Sequence, residues 1–376
     1  MADVDLAVIG GGPAGLATAI HAARGGARVV LFERRRPPID KACGEGLMPD
    51  GVAALAGLGI APGSLGGRPF VGIAFGDGRH RIEGRFPAGP GLGVRRTRLH
   101  EALWSAAERA GVALEPETAA TASADGTVES ARGTLRARLV AAADGLHSPT
   151  RRRLELGRPG APRRRRYGLR RHFRIAPWSE RVEVTFGDGA EAYVTPVADE
   201  LVGVALLVGS TEPRPGLDRF DVLLARFPEL AARLADAAPA DAVRGAGPLH
   251  QRCSAVVRGR VALVGDAAGY LDAITGEGIS VALHQARALA GCLTDGNLAA
   301  YARAHRRIVR TPNLLCRLVL LLSARPRTRA RALAGLARDP KLFDRLLAVH
   351  TRELAVHRLG FGGLVRLAFG LARPVW

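Results

Sequence analysis

Short apolar runs bounded by glycine or acidic residues recur along the chain and predict buried strands. The first, Leu6 to Ile9, leads into a helix-like stretch from Ala14 to Arg24 and then a second run from Arg28 to Phe32. This order predicts a βαβ unit, in which a helix joins two parallel strands. Two similar strands are predicted much later, at Leu135 to Ala143 and at Val261 to Gly265.

The sequence between these strands has a different pattern. Residues 69–86 alternate around a Gly-Asp-Gly turn and predict a pair of strands, and residues 167–209 predict several more. Helices are predicted at 97–110, 220–238 and 279–293, and the sequence from Ala299 almost to its end is typical of basic helices. Short apolar strands like those of the βαβ unit therefore return after a block of alternating strands.

This return predicts a discontinuous domain with a second domain inserted into it. The fold class is α/β (α+β overall), with a Rossmann-like domain, an inserted β-rich domain and a C-terminal helical segment. The predicted limits are 1–68, 93–162 and 250–300 for the first domain, 69–92 and 163–249 for the second, and 301–376 for the C-terminal region.

A glycine-rich turn joins the first predicted strand to the first helix. Gly10, Gly12 and Gly15 stand in G-x-G-x-x-G spacing. In this pattern the first glycine makes the turn, the second lets a pyrophosphate approach the backbone, and the third lets the helix pack close to the sheet. The helix N-terminus attracts phosphate through its free N–H groups and its dipole. Glu33, after the second strand, is placed to accept hydrogen bonds from an adenosine ribose.

Composition changes this interpretation little. The chain has 376 residues, of which 47% are hydrophobic, so a large core can form. The formal net charge of +19 would ordinarily suggest a nucleic-acid partner. The basic residues are almost all arginine, which we interpret as a coding bias, and aromatic residues, at 5%, are too sparse for stacking on single strands. We therefore expect no nucleic-acid partner.

The four cysteines, Cys43, Cys253, Cys292 and Cys316, form no C-x-x-C pair, which favours a reducing compartment and no metal site. The acidic N-terminus is unlike a signal peptide, and no apolar run approaches 18 residues, so we expect a cytoplasmic protein. The C-terminal apolar stripes between arginines have two interpretations. They predict either helices packed on the rest of the protein or a basic surface that contacts anionic membrane.

Two later strands also end in a turn that carries an acid. Asp144-Gly145 follows one strand and Gly265-Asp266 ends the other. A glycine-rich loop then leads to a helix that begins near Ile279, whose N-terminus would face whatever lies beyond the loop. Each turn alone is also compatible with an ordinary loop or helix cap. Three such turns in this order indicate one extended nucleotide cofactor.

This ordered triple resembles the single-component flavoprotein monooxygenases of the para-hydroxybenzoate hydroxylase fold. The same superfamily holds geranylgeranyl reductase-like proteins and flavin halogenases. The resemblance covers about residues 1–300 and implies FAD as the cofactor. It implies that Arg96, or Arg95 in the alternative register, lies along the cofactor. It also implies that Asp266 contacts the ribityl or pyrophosphate part and that the helix start near Ile279 lies beside the isoalloxazine. The residues assigned in this way to the FAD site are Gly10, Gly12, Pro13, Ala14, Gly15, Glu33, Arg34, Cys43, Arg96, Asp144, Gly265, Asp266, Gly278 and Ile279.

Some positions distinguish the branches of the superfamily. Ala273 stands where the family usually has proline, and Gly269 stands where hydroxylases often have histidine. The segment from Lys41 to Pro49 resembles the C-G-x-G segment that places a cysteine, here Cys43, near the flavin of the reductase-like branch. The tryptophan segment of the geranylgeranyl reductases has no clean match, and Tyr193-Val194-Thr195-Pro196 is the nearest.

The resemblances imply an FAD-dependent oxidoreductase. The first hypothesis is a monooxygenase that hydroxylates an apolar aromatic or polyketide-derived substrate with NAD(P)H and O₂ through a flavin C4a-hydroperoxide. Residues 166–196 favour it, because they are similar to flavoproteins associated with type III polyketide synthases. The second hypothesis is a geranylgeranyl reductase-like enzyme that reduces double bonds of a prenyl group.

A second G-x-G-x-x-G is absent, so NAD(P)H would bind only transiently at the flavin face, or a partner would supply the electrons. Halogenase activity is disfavoured, since neither lysine lies in a suitable context.

Few catalytic side chains are expected, because the flavin carries the chemistry. The candidates are Glu45, which would relay a proton, and Tyr193, which would hydrogen-bond or deprotonate a phenol. The alternatives are a solvated loop glutamate and a half-buried strand tyrosine. His172, which is surrounded by arginines in the sequence, is expected at the surface.

Overall fold

The computed structural model describes residues 2–158, 165–209 and 219–359, which contain two large sheets and a set of helices. The strands are β1 Val4–Ile9, β2 Val29–Phe32, β3 Gly46–Leu47, β4 Arg68–Phe70, β5 Gly72–Gly76, β6 Arg81–Arg85, β7 Gly91–Gly93, β8 Ala113–Glu115, β9 Ala120–Ala122, β10 Thr127–Ser130, β11 Gly133–Ala142, β12 Gly157–Arg158, β13 Tyr167–Arg174, β14 Arg181–Phe186, β15 Ala190–Ala198, β16 Leu201–Val208, β17 Ala238–Pro239, β18 Arg244–Ala246, β19 Arg252–Cys253, β20 Val257–Arg258 and β21 Val261–Leu263. The helices are α1 Pro13–Arg24, α2 Pro49–Gly57, α3 Arg96–Arg109, α4 Pro149–Arg153, α5 Phe220–Leu224, α6 Pro228–Arg233, α7 Gly278–Ala290, α8 Leu298–Ala324, α9 Pro326–Arg338 and α10 Pro340–His350.

The first sheet has the order β20-β21-β11-β1-β2-β8, and its pairs from β21 to β8 are all parallel. β1 is central, with Ile9 beside Ala142 on one side and Phe32 on the other. Parallel sheets are covered on both faces, which is why these strands are almost entirely apolar. Helices α1, α3 and α7 pack together over one face. This is the Rossmann-like domain that the apolar runs predict, and the late strand β21 joins it as expected.

The second sheet has the order β17-β13-β16-β15-β14-β5-β6, with β18 beside β13. Its strands come from residues 72–85 and 167–246, two segments separated in the sequence by strands β8 to β11 of the first sheet. The early hairpin of β5 and β6 joins β14 in parallel, whereas the other pairs are antiparallel. The predicted β-rich insertion is therefore present, and its domain limits stay a prediction.

The C-terminal helices cover one face of the second sheet. α9 and α10 contact β6, where Phe343 and Leu347 pack close against Gly84. The helical C-terminal region that the sequence predicts is therefore confirmed as far as residue 359, and residues 360–376 lie outside the described ranges. Within those ranges, no helix combines the length and the apolar character needed to cross a bilayer.

One predicted helix is wrong in its extent. The sequence pattern predicts a helix over 220–238, but the structure has two short helices there, α5 and α6. Pro228 is the cause, because proline lacks the N–H and clashes with the preceding turn inside a helix. It occupies the first position of α6, where proline is tolerated.

The contact between α8 and the end of β21 gives a stability prediction. Tyr301 is fully buried, and its hydroxyl donates to the carbonyl oxygen of Leu263 at 2.7 Å. The substitution Tyr301→Phe removes this donor, so the buried carbonyl oxygen of Leu263 loses the hydrogen bond. This should lower the free energy of unfolding by about 1–3 kcal/mol. Urea unfolding followed by circular dichroism measures the change. Tyr167→Phe, at a partly exposed ring, is the control, and equal effects of both substitutions would contradict the argument.

Candidate active site

Four strands of the first sheet end at the same edge, and each is followed by a glycine or an acid. Gly10 follows β1, Glu33 follows β2, Asp144 comes shortly after β11, and Asp266 comes shortly after β21. The strand order reverses between β1 and β11, and ligands of open α/β sheets bind at the carboxyl ends of the strands at such a point. Because the strands are parallel, the three separated turns of the sequence meet at one place.

The glycines at this edge are required by close backbone contacts. Gly10 has a φ of +106°, and a Cβ added there would lie 2.4 Å from the carbonyl oxygen of Ala143. A Cβ at Gly15 would lie 1.9 Å from the carbonyl oxygen of Gly10. A Cβ at Gly12 would instead meet no protein atom within 4 Å, so this side of the turn is open to a ligand.

The start of α1 has no side-chain cap. Gly12 is its N-cap, and Pro13 is its first residue. Its first N–H groups are therefore available to an anion. Ala14 is buried against the late turn, since a Cβ added at Gly265 would lie 2.7 Å from the Ala14 Cβ.

The carboxylate of Glu33 stabilises the turn formed by residues 10–12. Its carboxylate accepts hydrogen bonds from the backbone N–H of Gly11 at 2.7 Å and of Arg35 at 2.8 Å, whereas the neighbouring Arg34 is exposed. His100 supports the same turn, with Nε2 at 2.9 Å from the carbonyl oxygen of Gly11. Burial and the charge of Arg96 lower the pKa of His100 to about 4, so its ring is neutral at pH 7. Sequence reasoning missed His100, although its spacing of four from Arg96 was a usable signal.

Two buried polar groups at this edge have no hydrogen-bond partner among the described residues. One is Nη1 of Arg96, whose residue begins α3 and is 5% exposed, and the other is Oδ1 of Asp144. Burial lowers the pKa of Arg96, while nearby groups that include Asp266 oppose this shift. A guanidinium N–H and a carboxylate oxygen left without partners fit a ligand that carries both phosphate and hydroxyl groups.

The late turn continues this edge. The backbone N–H of Gly265 donates to Oε1 of Gln285 at 2.7 Å, and the carboxylate of Asp266 lies 3.4 Å from Nζ of Lys41. α7 begins at Gly278, is followed by the half-buried Ile279, and has no side-chain cap. Its N-terminus therefore offers further free N–H groups.

The segment after Lys41 brings a thiol and a carboxylate to the same region. The N–H of Glu45 lies 3.4 Å from Sγ of Cys43, and Oε1 of Glu45 accepts from the N–H of Arg96 at 2.8 Å. Burial and the charge of Glu45 raise the pKa of Cys43, so its thiol is protonated at pH 7. The Glu45 side chain is 1% exposed, which contradicts the solvated alternative.

His172 is not at the surface, as the surrounding arginines suggested, but completely buried. Its Nε2 is hydrogen-bonded to Oε2 of Glu45, and its Nδ1 lies 2.7 Å from Oδ2 of Asp241. Glu45 lies directly before β3, outside the second sheet, whereas β13 of the second sheet carries His172. Alternation along β13 places His172 inward, and its partners lie 127 and 69 residues away, so no local pattern predicts the cluster.

The two ring nitrogens of His172 have hydrogen-bond partners in either of two protonation states. With both ring nitrogens protonated, it donates to both carboxylates. Arg170 Nη1 lies 2.9 Å from His172 Nδ1 and 2.7 Å from Oδ2 of Asp241. It can donate to Nδ1 when that nitrogen is unprotonated. The arrangement therefore holds a proton between a buried carboxylate and Asp241, whose side chain is 19% exposed.

Tyr193, the second catalytic candidate, lies on β15. It is buried, and its hydroxyl donates to the carbonyl oxygen of Ile274 at 2.8 Å. Burial raises the pKa of Tyr193, which is further raised by the charge of Glu191. The hydroxyl therefore remains protonated, so the expectation that Tyr193 would deprotonate a phenol is disfavoured by its environment.

A second charged cluster, which sequence reasoning missed, lies near Tyr193. Arg166 contacts Asp272 at 2.8 Å and Glu191 at 2.5 Å, and Ser323 of α8 donates to Glu191. Burial, together with the charge of Glu191, raises the pKa of Asp272 to about 6, although the guanidinium of Arg166 opposes this shift. The cluster fixes the loop 269–277 against β15 and α8.

Comparison with known proteins gives the class. The profile of the FAD binding domain family matches residues 3–296, so the protein belongs to this family. The unpartnered groups of Arg96 and Asp144 and the open face of Gly12 fit this cofactor. The protein is an FAD-dependent oxidoreductase, as the three turns predict.

Two relatives and one solved structure show which flavoproteins this protein resembles. The sequence is 34% identical over 317 residues to the 2-heptyl-3-hydroxy-4(1H)-quinolone synthase of Mycobacteroides abscessus, covering 77% of this protein and 81% of that one. It is 30% identical over 326 residues to the menaquinone reductase of Mycobacterium tuberculosis, covering 78% of each. The flavin-dependent brominase Bmp2 has the same fold, with a TM-score of 0.81 over 93% of each protein at 17% identity.

The two glycines give a paired prediction. Gly12→Ala adds a methyl group in open space, so the protein should fold but bind FAD at least about tenfold more weakly, because the pyrophosphate cannot approach. Gly15→Ala places a Cβ against the Gly10 carbonyl, so folding itself should be impaired. Flavin absorbance and thermal unfolding separate the two effects. Gly57→Ala, also in open space but on α2, is the control, and normal FAD affinity of Gly12→Ala would contradict the assignment.

Proposed function

We propose that the protein is an FAD-dependent monooxygenase that hydroxylates an apolar aromatic or polyketide-derived substrate, with NAD(P)H as the transient reductant. The observation that carries this proposal is an apolar layer rich in aromatic side chains beside the loop 269–277. Its aromatic members are Phe70, Phe75, Phe86, Tyr193, Tyr270 and Phe343. The whole sequence has 11 Phe and 4 Tyr, and six of these fifteen residues belong to this set.

We call this set, with the aliphatic residues of the same cluster, the apolar layer. It lies between the second sheet, the loop and helices α8 to α10. Aromatic side chains favour aromatic ligands through offset or edge-to-face contacts. The name of the quinolone synthase relative refers to a quinolone that carries a hydroxy group and a heptyl group. This also supports an apolar aromatic substrate.

The bound FAD supplies the two-electron chemistry and the reaction with O₂. The protein supplies binding, exclusion of water and proton transfer. The uncapped starts of α1 and α7 and the side chain of Arg96 bind and orient the cofactor, and the apolar layer excludes water. Glu45 exchanges a proton with His172 Nε2, and His172 Nδ1 exchanges one with Asp241.

A second function, reduction of a carbon–carbon double bond, is favoured by one observation. Cys43 lies beside Arg96 and Glu45, and its thiol, whose pKa burial raises, is held in the protonated form. A buried neutral thiol can donate a proton to carbon when a double bond is saturated. The menaquinone reductase relative is consistent with this alternative.

A turnover assay separates the two functions. The holoprotein is given NADPH or NADH with 2-heptyl-4-quinolone, an alkylresorcinol or a polyprenyl quinone. We expect O₂ uptake that an aromatic substrate stimulates and a product that is heavier by one oxygen atom derived from ¹⁸O₂. Anaerobic saturation of the polyprenyl group, without aromatic-stimulated O₂ uptake, would instead establish the reductase.

The proton path gives a further prediction. Glu45→Gln keeps the size of the side chain but removes the exchangeable carboxylate, so turnover should fall on the order of 10²-fold while FAD binding is retained. His172→Asn should have a similar effect, and the loss should be accompanied by a changed pH profile. Stopped-flow kinetics in H₂O and D₂O measure the proton-dependent step.

The matched control is another imidazole–carboxylate pair, formed by Nε2 of His284 and Oδ2 of Asp50 at 3.0 Å. His284→Asn removes a partly buried pair of the same kind on α7 and should leave turnover within about twofold of wild type, since within the described residues this pair shares no hydrogen bond with Glu45 or His172. If Glu45→Gln and His284→Asn change the rate and its solvent isotope effect equally, the proton path is disproved.

A further inference from the structure

Helix α8 carries an apolar stripe on its solvent-exposed face. Leu314, Leu318 and Leu321 are 43%, 41% and 39% exposed, and their spacing of four and three residues places them on one face of the helix. Among the large hydrophobic residues of the described ranges, only Val222 on α5 is similarly exposed. Scattered apolar residues are normal at a surface, whereas a contiguous set on one helix favours a partner.

The sequence on either side of this stripe carries charge of a single sign. From residue 296 to residue 338 the sequence has ten arginines and no acidic residue. Eight of them are exposed: Arg303, Arg306, Arg307, Arg310, Arg317, Arg325, Arg327 and Arg338. In the part of the protein that the structure describes, none of these eight forms an ion pair with a carboxylate. Arg303, Arg307, Arg310 and Arg317 lie at helical spacings of three or four from one another or from the leucines, so they share the face of the stripe. The stripe and these four arginines together are the docking face.

The opposite face of α8 belongs to the apolar layer. Cys316 is buried in it, Val319 and Leu320 pack against it, and Ser323 donates to Glu191 at its edge. A single helix, about 10 Å across with its side chains, therefore separates the docking face from the candidate substrate region.

We propose that the docking face binds an anionic lipid bilayer. The leucines would enter the boundary between headgroups and acyl chains, and the arginines would contact lipid phosphates, as in amphipathic helices that lie in the membrane plane. Docking places the apolar layer next to the lipid phase, from which an apolar substrate enters along α8. This last step rests on the proposed function, whereas the docking itself does not.

Charge complementarity favours a bilayer over the other occupants. A symmetric second copy would place the same arginines against each other, and three leucines are few beside the roughly 20–30 residues that each partner of a stable dimer contributes. Residues 360–376, outside the described ranges, carry Arg366 and Arg373 but no acid, so they provide no counter-charge. An anionic bilayer provides both an apolar phase and negative charge.

Vesicle sedimentation of the full-length holoprotein tests the proposal. We expect it to sediment with vesicles of phosphatidylglycerol and phosphatidylcholine in equal parts and to remain in solution with phosphatidylcholine alone. Higher salt should weaken the binding, because exposed charges are screened. Lack of binding to the anionic vesicles would overturn the proposal.

Two variants assign the binding to the docking face. The triple substitution Leu314→Ser, Leu318→Ser and Leu321→Ser should weaken vesicle binding at least about tenfold, since apolar burial drives insertion. Val222→Ser removes the other exposed hydrophobic residue, on a helix that packs in the cluster on the other face of the second sheet, and should leave binding unchanged. Flavin absorbance of all variants shows that they are folded. Equal vesicle binding by wild type and the triple variant would refute the assignment.

Tryptophan fluorescence distinguishes the occupants. The emission of Leu318→Trp should be quenched by brominated lipids in anionic vesicles, and that of Val222→Trp should not, after subtraction of the signal from wild type. If the tryptophan of Leu318→Trp is shielded from water in the absence of vesicles, another segment of the protein lies over the stripe. A dimer that the triple substitution dissociates would mean a second copy. Either result contradicts docking, and none of these readouts depends on turnover.

Discussion

The close backbone contact between the start of α1 and two strand ends is the constraint on which the rest of the site depends. Gly15 approaches the carbonyl of Gly10, and Gly10 in turn approaches the carbonyl of Ala143. Side chains at these positions would push α1 away from β1 and β11. The contact therefore fixes an uncapped helix N-terminus at the point where the parallel strands end, which is where FAD is bound in this family.

The second sheet is joined to this site by charges rather than by apolar contact alone. Glu45, which precedes β3, and His172, from β13, meet in the interior with Arg170 and Asp241. Such a cluster is costly to desolvate unless each member is hydrogen-bonded, which here most of them are. The geometry thus orients the two domains and, under the proposed function, gives the buried carboxylate a path to the surface.

The C-terminal helices give the protein two different surfaces. The inner face of α8 completes the apolar layer, and its outer face has arginines and leucines without acids. This division explains why the sequence alone permitted two interpretations of this region. Packing on the body and an exposed basic stripe are both present, on opposite faces of the same helix.

The sequence by itself determined the first sheet, the glycine turn, the acidic turns and the cofactor, because strand periodicity and backbone access at glycine are local properties. It also indicated Glu45, but it misplaced His172 and gave no sign of its pairing with Asp241. The shared cluster of Arg166, Asp272 and Glu191 was equally invisible. These contacts join residues that are distant in the sequence, so only the packing of the second sheet on the first decided which side chains became buried and which partners they found.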